Sequence, residues 1–279
     1  MSGAQVMRLP GGRLHLHHGP IDMIVGATGP GRDDGFTRAA QRFETLLEEL
    51  AAELPRLRAP HGAPPRGAVA RAMVAATAPF DSFVTPMAAV AGAGADAICA
   101  ALANGPGIET AYVNNGGDVA LCLAPGHSLR AAIFGGTDGV ATLRAADPVR
   151  GVATSGWRGR SQSLGIADSV TVLAQNAAKA DAAATLIANA VDLPGHPAIR
   201  RLPANEVFDD SDLGARPVTV DVGALPACDV QRALARGLAR ADAMQRHGQI
   251  IAATLSLQGA QVQTRQMPQI AHQPERADA

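Results

Sequence analysis

Two Ala-rich segments of the chain match each other without a gap. Residues 93–104 read AGADAICAALAN and residues 178–189 read AKADAAATLIAN, with an Asp at the same place in each, Asp96 and Asp181. Since both segments look helical and follow strand-like sequence, the match predicts a duplicated β–α unit. The alternative is chance identity, which arises easily between two helices made mostly of Ala. A duplication would build the fold from two similar β–α halves.

The rest of the chain alternates between strand-like and helical patterns separated by Gly and Pro. With 279 residues, 47% of them hydrophobic, it is long enough to bury a substantial core as an α/β protein. We expect a single domain over 1–263 and a flexible tail at 264–279, which is polar and lacks periodicity. Helices are predicted at 36–54, 67–77, 86–104, 177–191 and 227–247, strands at 110–123, 129–134, 140–144, 169–174, 218–222 and 249–262, one bent strand or two short ones at 13–25, and an irregular segment at 200–214.

The composition argues against several classes of partner. A formal net charge of -1 and 3% aromatic residues provide neither a basic field nor a stacking platform for nucleic acid. The three cysteines are isolated, which favours buried thiols in a reducing compartment over a zinc site. The first ten residues lack the pattern of a secretory signal, and no segment approaches about 18 uninterrupted apolar residues. We therefore expect a cytoplasmic protein with no nucleic-acid or membrane partner.

A polar turn with the sequence Asn-Asn-Gly-Gly-Asp lies at 114–118, between two apolar runs. A hairpin explains Asn115 to Gly117, because Asn-Gly and Gly-Gly supply the positive φ that tight turns need. A hairpin does not require Asp118, whose carboxylate stands beside bare backbone that a ligand could approach. A plain turn and a ligand site are both open at this point.

Small hydroxyl residues and two arginines follow further along the chain, in Ala-Thr-Ser-Gly-Trp-Arg-Gly-Arg at 153–160. Backbone N–H groups after Thr154 and Ser155, together with the guanidinium groups of Arg158 and Arg160, could form an anion-binding concavity. The alternative is a flexible surface loop with solvated arginines.

Asp181 and Thr185 lie four residues apart on a predicted helix, so their Cβ atoms should be about 6 Å apart on one face. An oxygen pair of this kind suits a hard cation such as Mg²⁺, which takes carboxylate, hydroxyl and phosphate oxygens. The alternative is a solvated stripe of the helix that also contains Ala188 and Asp192.

Taken in order, the three motifs resemble those of the ApbE family, the FAD:protein FMN transferases. The resemblance rests on Asn-Asn-Gly-Gly-Asp at 114–118, Ala-Thr-Ser-Gly at 153–156 and Ala-Asp-Ala-Ala-Ala-Thr at 180–185. Residues 86–96 are also similar to the family's helix that enters the flavin site and ends in an Asp. The whole chain looks closest to an uncharacterised branch of that family.

This resemblance implies a duplicated T-fold-like architecture, an α/β sandwich of antiparallel sheets and Ala-rich helices. It also implies FAD or FMN lying across the two halves, with Mg²⁺ held by Asp181 and Thr185. The residues expected to bind the nucleotide come from the first two motifs: Asn115, Gly116, Gly117, Asp118, Thr154, Ser155, Gly156 and Arg158.

Two departures from the family weaken the case for flavin transfer to protein. The transferases have Lys-Gly where this chain has Ala91-Gly92, and their His-Ile-x-Asp-Pro-x-Thr-Gly segment is missing here. We expect a Mg-dependent enzyme acting on a flavin, nucleotide or related phosphate-bearing small molecule, with protein flavinylation as one option. The alternative is a non-catalytic flavin- or pterin-binding accessory protein. Neither hypothesis assigns catalytic residues or the oligomeric state, and a homo-oligomer is compatible with both.

Overall fold

A nine-stranded antiparallel sheet forms the centre of the computed structural model, which describes residues 3–133, 139–265 and 270–272. A two-stranded sheet and a three-stranded sheet lie beside it. In chain order the strands are β1 (Gln5–Leu9), β2 (Arg13–His18), β3 (Ile21–Thr28), β4 (Thr110–Asn115), β5 (Asp118–Leu123), β6 (Ser128–Ile133), β7 (Gly139–Arg144), β8 (Gly151–Ser155), β9 (Ser169–Ala174), β10 (Ile199–Pro203), β11 (Pro217–Val222), β12 (Ala252–Leu257), β13 (Ala260–Gln263) and β14 (Ile270–His272).

The helices fill the long connections between these strands. A short 3-10 helix, Pro86–Ala89, leads directly into the longest apolar helix of the first half. The α-helices are α1 (Arg32–Phe43), α2 (Leu46–Ala52), α3 (Leu54–Leu57), α4 (Ala68–Thr77), α5 (Val90–Ala103), α6 (Ala177–Ala190), α7 (Ala204–Val207) and α8 (Ala227–Arg246).

The order of strands in the large sheet confirms the duplicated architecture. The sheet runs β1-β2-β3-β4-β5-β8-β9-β12-β13. In the first half a hairpin, β2 and β3, is followed by helices and then by a second hairpin, β4 and β5. The second half repeats this arrangement with β8 and β9, then helices, then β12 and β13. The halves join where β5 pairs with β8, so both contribute to one continuous sheet.

The two matching helices face each other through their N-termini. Asp96 of α5 accepts hydrogen bonds from the first backbone N–H groups of α6, at Ala177 (3.0 Å) and Ala178 (2.9 Å). Asp181 of α6 accepts from the N–H of Gly92, in the first turn of α5, at 3.0 Å. Each carboxylate thus caps the other helix. It accepts hydrogen bonds from N–H groups that have no acceptor within their own helix, and its charge interacts favourably with the positive end of the helix dipole. Both of the aligned Asp residues therefore have a structural role as helix caps.

The core lies on both faces of the large sheet. On one face the helices cover side chains such as Leu16, Met23 and Val170, all fully buried. On the other face the three-stranded sheet of β6, β7 and β14 covers Leu121 and Val152. This layering is the α/β sandwich of antiparallel sheets and Ala-rich helices that the resemblance implies.

The prediction of one continuous helix at 36–54 is wrong, because this part of the chain forms three separate helices. The chain breaks after α1 and after α2, and Pro55 does not end a helix but lies in the first turn of α3. Proline suits that position because its missing N–H would have had no partner there. Residues 13–25 form two strands, and 249–262 contains a hairpin rather than one strand.

Three strands outside the predicted tail were not predicted. The strand β1 was missed, and β10 lies inside the start of the segment expected to be irregular. The third, β8, occupies residues where the motif pattern suggested a loop. It is buried between β5 and β9, and a Cβ on Gly151 would overlap the backbone of Asn176, so the strand needs small residues to fit under α6.

The predicted flexible tail is described only in part. Thr264 is buried and its backbone N–H donates to the carbonyl oxygen of Ala253 at 3.0 Å. Residues 270–272 pair antiparallel with β7. Backbone hydrogen bonds therefore hold these residues to the fold. Residues 266–269 and 273–279 lie outside the described part of the chain.

The segment Pro86–Ala103 is long and apolar enough to cross a membrane by length and composition. Half of it is buried inside the protein, where it packs against α1, α6 and the strands β4 and β5. It is the central helix of the first half's core.

Replacing Gly92 by Ala tests the contact between the two helix N-termini. A Cβ at this position would overlap the carbonyl oxygen of Ala177 and lie 2.8 Å from the amide nitrogen of Ala178, both backbone atoms. We expect G92A to lower the free energy of unfolding by about 1–3 kcal/mol, measured by urea denaturation. The loss would occur although Ala is favoured over Gly in a helix by about 1 kcal/mol.

Gly94→Ala on the same helix is the matched control. Its added Cβ would meet side-chain atoms, with Met23 Cε at 3.3 Å and Asn115 Nδ2 at 3.5 Å, which can move. We expect G94A to be close to neutral. Equal stability of the two variants would contradict the account of the helix contact.

Candidate functional site

Two adjoining cavities lie where the two halves of the sheet meet. The first, which we call the α6 cavity, has a volume of about 340 Å³ and is lined by Asp181, Thr185 and Asn189 of α6. The second, the turn cavity, has a volume of about 640 Å³ and is lined by the β4–β5 turn and the end of β8. The residues that line both cavities are Val90, Ala91, Asp118, Arg160 and Ser161.

All but one of the residues proposed from the sequence line these cavities. Asp181 and Thr185 line the α6 cavity. Gly117 is the exception, because it lines a separate cavity of about 350 Å³ beside β6, together with Tyr112 and Leu129. The residues from the first two motifs that line the turn cavity are Asn115, Gly116, Asp118, Thr154, Ser155, Gly156 and Arg158.

The Asn-Asn-Gly-Gly-Asp motif is a hairpin turn as well as a wall of the site. Gly116 and Gly117 have φ of +66° and +114°, which favour glycine, and the N–H of Gly117 donates to Asn114 Oδ1 at 2.8 Å. The Asn115 amide donates to the carbonyl oxygen of Ala91 at 3.0 Å. This bond ties the turn to the start of α5, so Asp118 enters the cavities from a fixed position.

The carboxyl groups of Asp118 and Asp181 both have raised pKa values, although each also has a neighbour that favours its ionised form. Asp118 is buried, and burial raises its pKa to about 7, although the N–H of Thr154, at 3.3 Å, and the charge of Arg160 favour its ionised form. Burial and the nearby negative charge of Asp118 raise the pKa of Asp181 well above its usual value, against the hydrogen bond from Gly92. Two neighbouring carboxylates in one cavity repel each other when both are ionised.

This donor set fits a divalent cation. A hard cation would remove the repulsion between Asp118 and Asp181, and the hydroxyl of Thr185 lies one helical turn further along the same cavity. Within the described residues no group of three or more His, Cys, Asp or Glu side chains is arranged to hold a metal. Remaining coordination positions would therefore be filled by water or ligand oxygens, as Mg²⁺ commonly requires.

The solvated stripe considered for α6 does not exist. Ala188 is fully buried, Asp192 forms an ion pair with Arg201, and Asp181 and Thr185 face the α6 cavity. Asn189, at the far end of the helix, accepts from the N–H of Leu164 at 2.9 Å. This face of α6 and the residues just after it therefore pack in the core, line the α6 cavity or form an ion pair.

The Ala-Thr-Ser-Gly motif is not a loop, since Thr154 and Ser155 belong to β8. The hydroxyl of Thr154 is hydrogen-bonded to that of Thr171 on the neighbouring strand, 2.9 Å away. What Thr154 offers at Asp118 is its backbone N–H. The backbone N–H of Thr154 thus supports a carboxylate of the protein itself, while Ser155 and Gly156 line the turn cavity.

The two arginines after this motif differ in their surroundings. The Nε of Arg158 donates to Asp168 Oδ1 at 3.0 Å, and its guanidinium lies 4.9 Å from the centre of the Trp157 ring. Asp168 also accepts from Trp157 Nε1 and from the backbone N–H of Gln258. Arg158 is therefore already engaged at the rim, whereas Arg160 lines both cavities.

A further wall of the α6 cavity was not predicted. It comes from residues 208–213, which follow α7 and carry Phe208, an exposed aromatic side chain. Asp210 in this segment pairs with Arg58 of the first half, and Asp212 with the hydroxyl of Thr85. The sequence signal that could have indicated this wall is Phe208 followed by several acidic residues, a combination that neither a helix nor a strand pattern requires.

A family model described as "AbpE bacteria" matches residues 6–264. A UPF0280 protein of Methanopyrus kandleri is 41% identical over 180 residues, which cover 63% of this chain and 62% of the relative. A UPF0280 protein of Methanothermobacter thermautotrophicus is 42% identical over 116 residues, 40% of this chain and 44% of the relative. The matched part of this chain thus spans less than two thirds of the length of either relative.

The fold of this chain is similar to a solved structure, the apo form of the Pseudomonas stutzeri flavinyl transferase ApbE. The two share 16% sequence identity with a TM-score of 0.49, over 95% of this chain and 97% of the other.

Asp118→Asn tests whether ionisation of the buried Asp118 carboxyl destabilises the folded protein. Because the pKa of Asp118 is about 7 in the folded protein and ordinarily 3.8, ionising it costs folding free energy, and stability is lost as pH rises through this interval. Asn cannot ionise. We expect the variant to exceed the wild type in unfolding free energy by a few kcal/mol at pH 8 and by less at pH 5, since a pKa difference of one corresponds to about 1.4 kcal/mol.

The measurement is urea unfolding at both pH values in the presence of EDTA. The exposed substitution Asp34→Asn is the control and should follow the wild-type pH dependence. An Asp118→Asn variant whose stability changes with pH as the wild type's does would show that the buried carboxyl is not strained by ionisation.

Proposed function

Since this chain belongs to the AbpE bacteria family, whose model matches residues 6–264, we propose that it binds a flavin, nucleotide or related phosphate-bearing ligand together with Mg²⁺. The observation that carries the proposal is the pair of repelling carboxylates, Asp118 and Asp181, in a cavity that also presents the Thr185 hydroxyl. Such a set is costly without a cation and favourable with one.

In this proposal Asp118, Asp181 and Thr185 hold the cation. Mg²⁺ bound there would neutralise charge on phosphate oxygens. The protein positions both carboxylates through backbone N–H groups, of Thr154 for Asp118 and of Gly92 for Asp181. The turn cavity, bounded by Asn115, Gly116, Thr154, Ser155, Gly156 and Arg158, would receive the ligand.

The reaction we propose first is group transfer from a phosphate-bearing ligand, with protein flavinylation as one form of it. Support comes from family membership and from the retention of the carboxylates and Thr185 side by side, since a protein that only binds has less need of a metal.

A non-catalytic flavin- or pterin-binding accessory protein is the second candidate, and a specific observation favours it. No His or Lys is among the residues that line the two cavities. The chain's single lysine, Lys179, is bonded to Gln175 on the surface. Proton transfer or charge stabilisation by such side chains is therefore not built into the described walls.

We propose a cytoplasmic location and a small-molecule ligand, with neither nucleic acid nor a membrane as partner. The apolar helix Pro86–Ala103 is used for the core, and the net charge of -1 gives no basic surface.

Ligand binding is tested first by the absorption spectrum of the purified protein and by thermal shift with FAD, FMN and a pterin, each with and without Mg²⁺. We expect one of these ligands to raise the melting temperature in a Mg²⁺-dependent manner. A ligand present at about 100 times its Kd stabilises by about 2.7 kcal/mol, which corresponds to several degrees for a protein of this size.

Thr185→Val and Thr185→Ser make a matched pair for the cation site. Valine keeps the shape of the side chain but removes the hydroxyl, so the Mg²⁺-dependent part of the shift should fall, whereas serine should retain most of it. If Thr185→Val responds to Mg²⁺ and ligand as the wild type does, Thr185 is not part of the site.

Transfer is tested separately by incubating the protein with FAD and a candidate acceptor protein. Flavin fluorescence that survives denaturation of the acceptor would establish an enzyme. Mg²⁺-dependent binding without any covalent product would favour the accessory protein.

A further inference from the structure

Two arginines line the cavities, and one of them is uncommitted. Arg158 is held at the rim by Asp168 and by the Trp157 ring. Arg160 forms no ion pair and donates no hydrogen bond to any residue in the described parts of the chain. It nevertheless lies at the junction, where the residues shared by both cavities include Asp118 and Ser161.

The guanidinium of Arg160 lies against the bare backbone of the β4–β5 turn. A Cβ placed on Gly116 would overlap Arg160 Nη2, so the turn leaves space for the guanidinium only because this position is glycine. The contact puts the charge of Arg160 close enough to Asp118 to favour its ionised form. The arginine is thus placed beside the carboxylate without being neutralised by a direct pair.

An anion entering the junction meets carboxylates on one side and Arg160 on the other. Asp118 and Asp181 would repel it unless a divalent cation lay between them. With such a cation present, an anion with several oxygens can contact the cation and the guanidinium at the same time. The planar fork of arginine matches phosphate oxygens in pairs, which a single ammonium group does not.

We propose that Arg160, with the hydroxyl of Ser161, binds the phosphate of a phosphomonoester or phosphoanhydride ligand at the junction of the two cavities. The inference rests on the proposed function and deepens it by naming the residue that selects phosphorylated ligands. Among the residues that line both cavities, Arg160 carries the positive charge, since the others are Val90, Ala91, Asp118 and Ser161.

The test compares three probes, FMN, riboflavin and inorganic pyrophosphate, by isothermal titration calorimetry with Mg²⁺ on the full chain. Riboflavin is FMN without its phosphate. We expect Arg160→Ala to weaken binding of FMN and pyrophosphate about 10- to 100-fold, the range for hydrogen bonds to a charged group. Riboflavin affinity should stay unchanged. Arg160→Lys should recover only part of the loss, because it restores charge but not the fork.

Arg200→Ala, at an exposed arginine of β10, is the control and should bind all probes as the wild type does. Arg158→Ala should lose less phosphate affinity than Arg160→Ala, because Arg158 is already paired. Unchanged FMN and pyrophosphate binding by Arg160→Ala overturns the assignment, and so does an equal loss for riboflavin. If the wild type still binds FMN, the proposed function survives that result. If the wild type binds neither FMN nor pyrophosphate but is stabilised by FAD or a pterin with Mg²⁺, only the assignment of Arg160 fails; if it binds none of these ligands, both fail.

Discussion

The contact between the N-termini of α5 and α6 is the interaction on which the site depends. Each helix end presents unpaired N–H groups and a partial positive charge, and each receives a carboxylate from the other helix. The close approach leaves no room for a side chain at Gly92. Because one helix belongs to each half of the duplication, this contact fixes how the halves meet, and the two cavities lie beside it.

The duplication is symmetric in architecture and asymmetric in chemistry. Asp96 and Asp181 have the same capping role, but Asp181 also faces the α6 cavity, where Asp118 lies nearby. Asp118 starts the strand that joins the first half to the second, and its own support is the N–H of Thr154 across that junction. The site therefore needs both halves, although each half repeats the same fold.

The sequence was most informative where a local signal determines the structure. The helix predicted at 177–191 forms, with Asn176 as its N-cap accepting a hydrogen bond from the N–H of Lys179, and the Gly-Gly turn forms the predicted hairpin. The strand β8 was misread because its small residues are set by packing under α6, which no local pattern reveals. The wall at 208–213 and the difference between the two arginines depend on partners distant in sequence, such as Arg58 and Asp168. These features could not have been predicted from spacing alone.

The double role of Asp181 affects how this branch of the family can change during evolution. A relative without the proposed metal site would still need a carboxylate at this position, because the N–H of Gly92 at the start of α5 would otherwise be buried without an acceptor. Thr185 has no comparable duty in the packing of the two helices. Among related sequences, drift at Thr185 with Asp181 retained would mark lineages that keep the contact between the two helices and lack the proposed metal site.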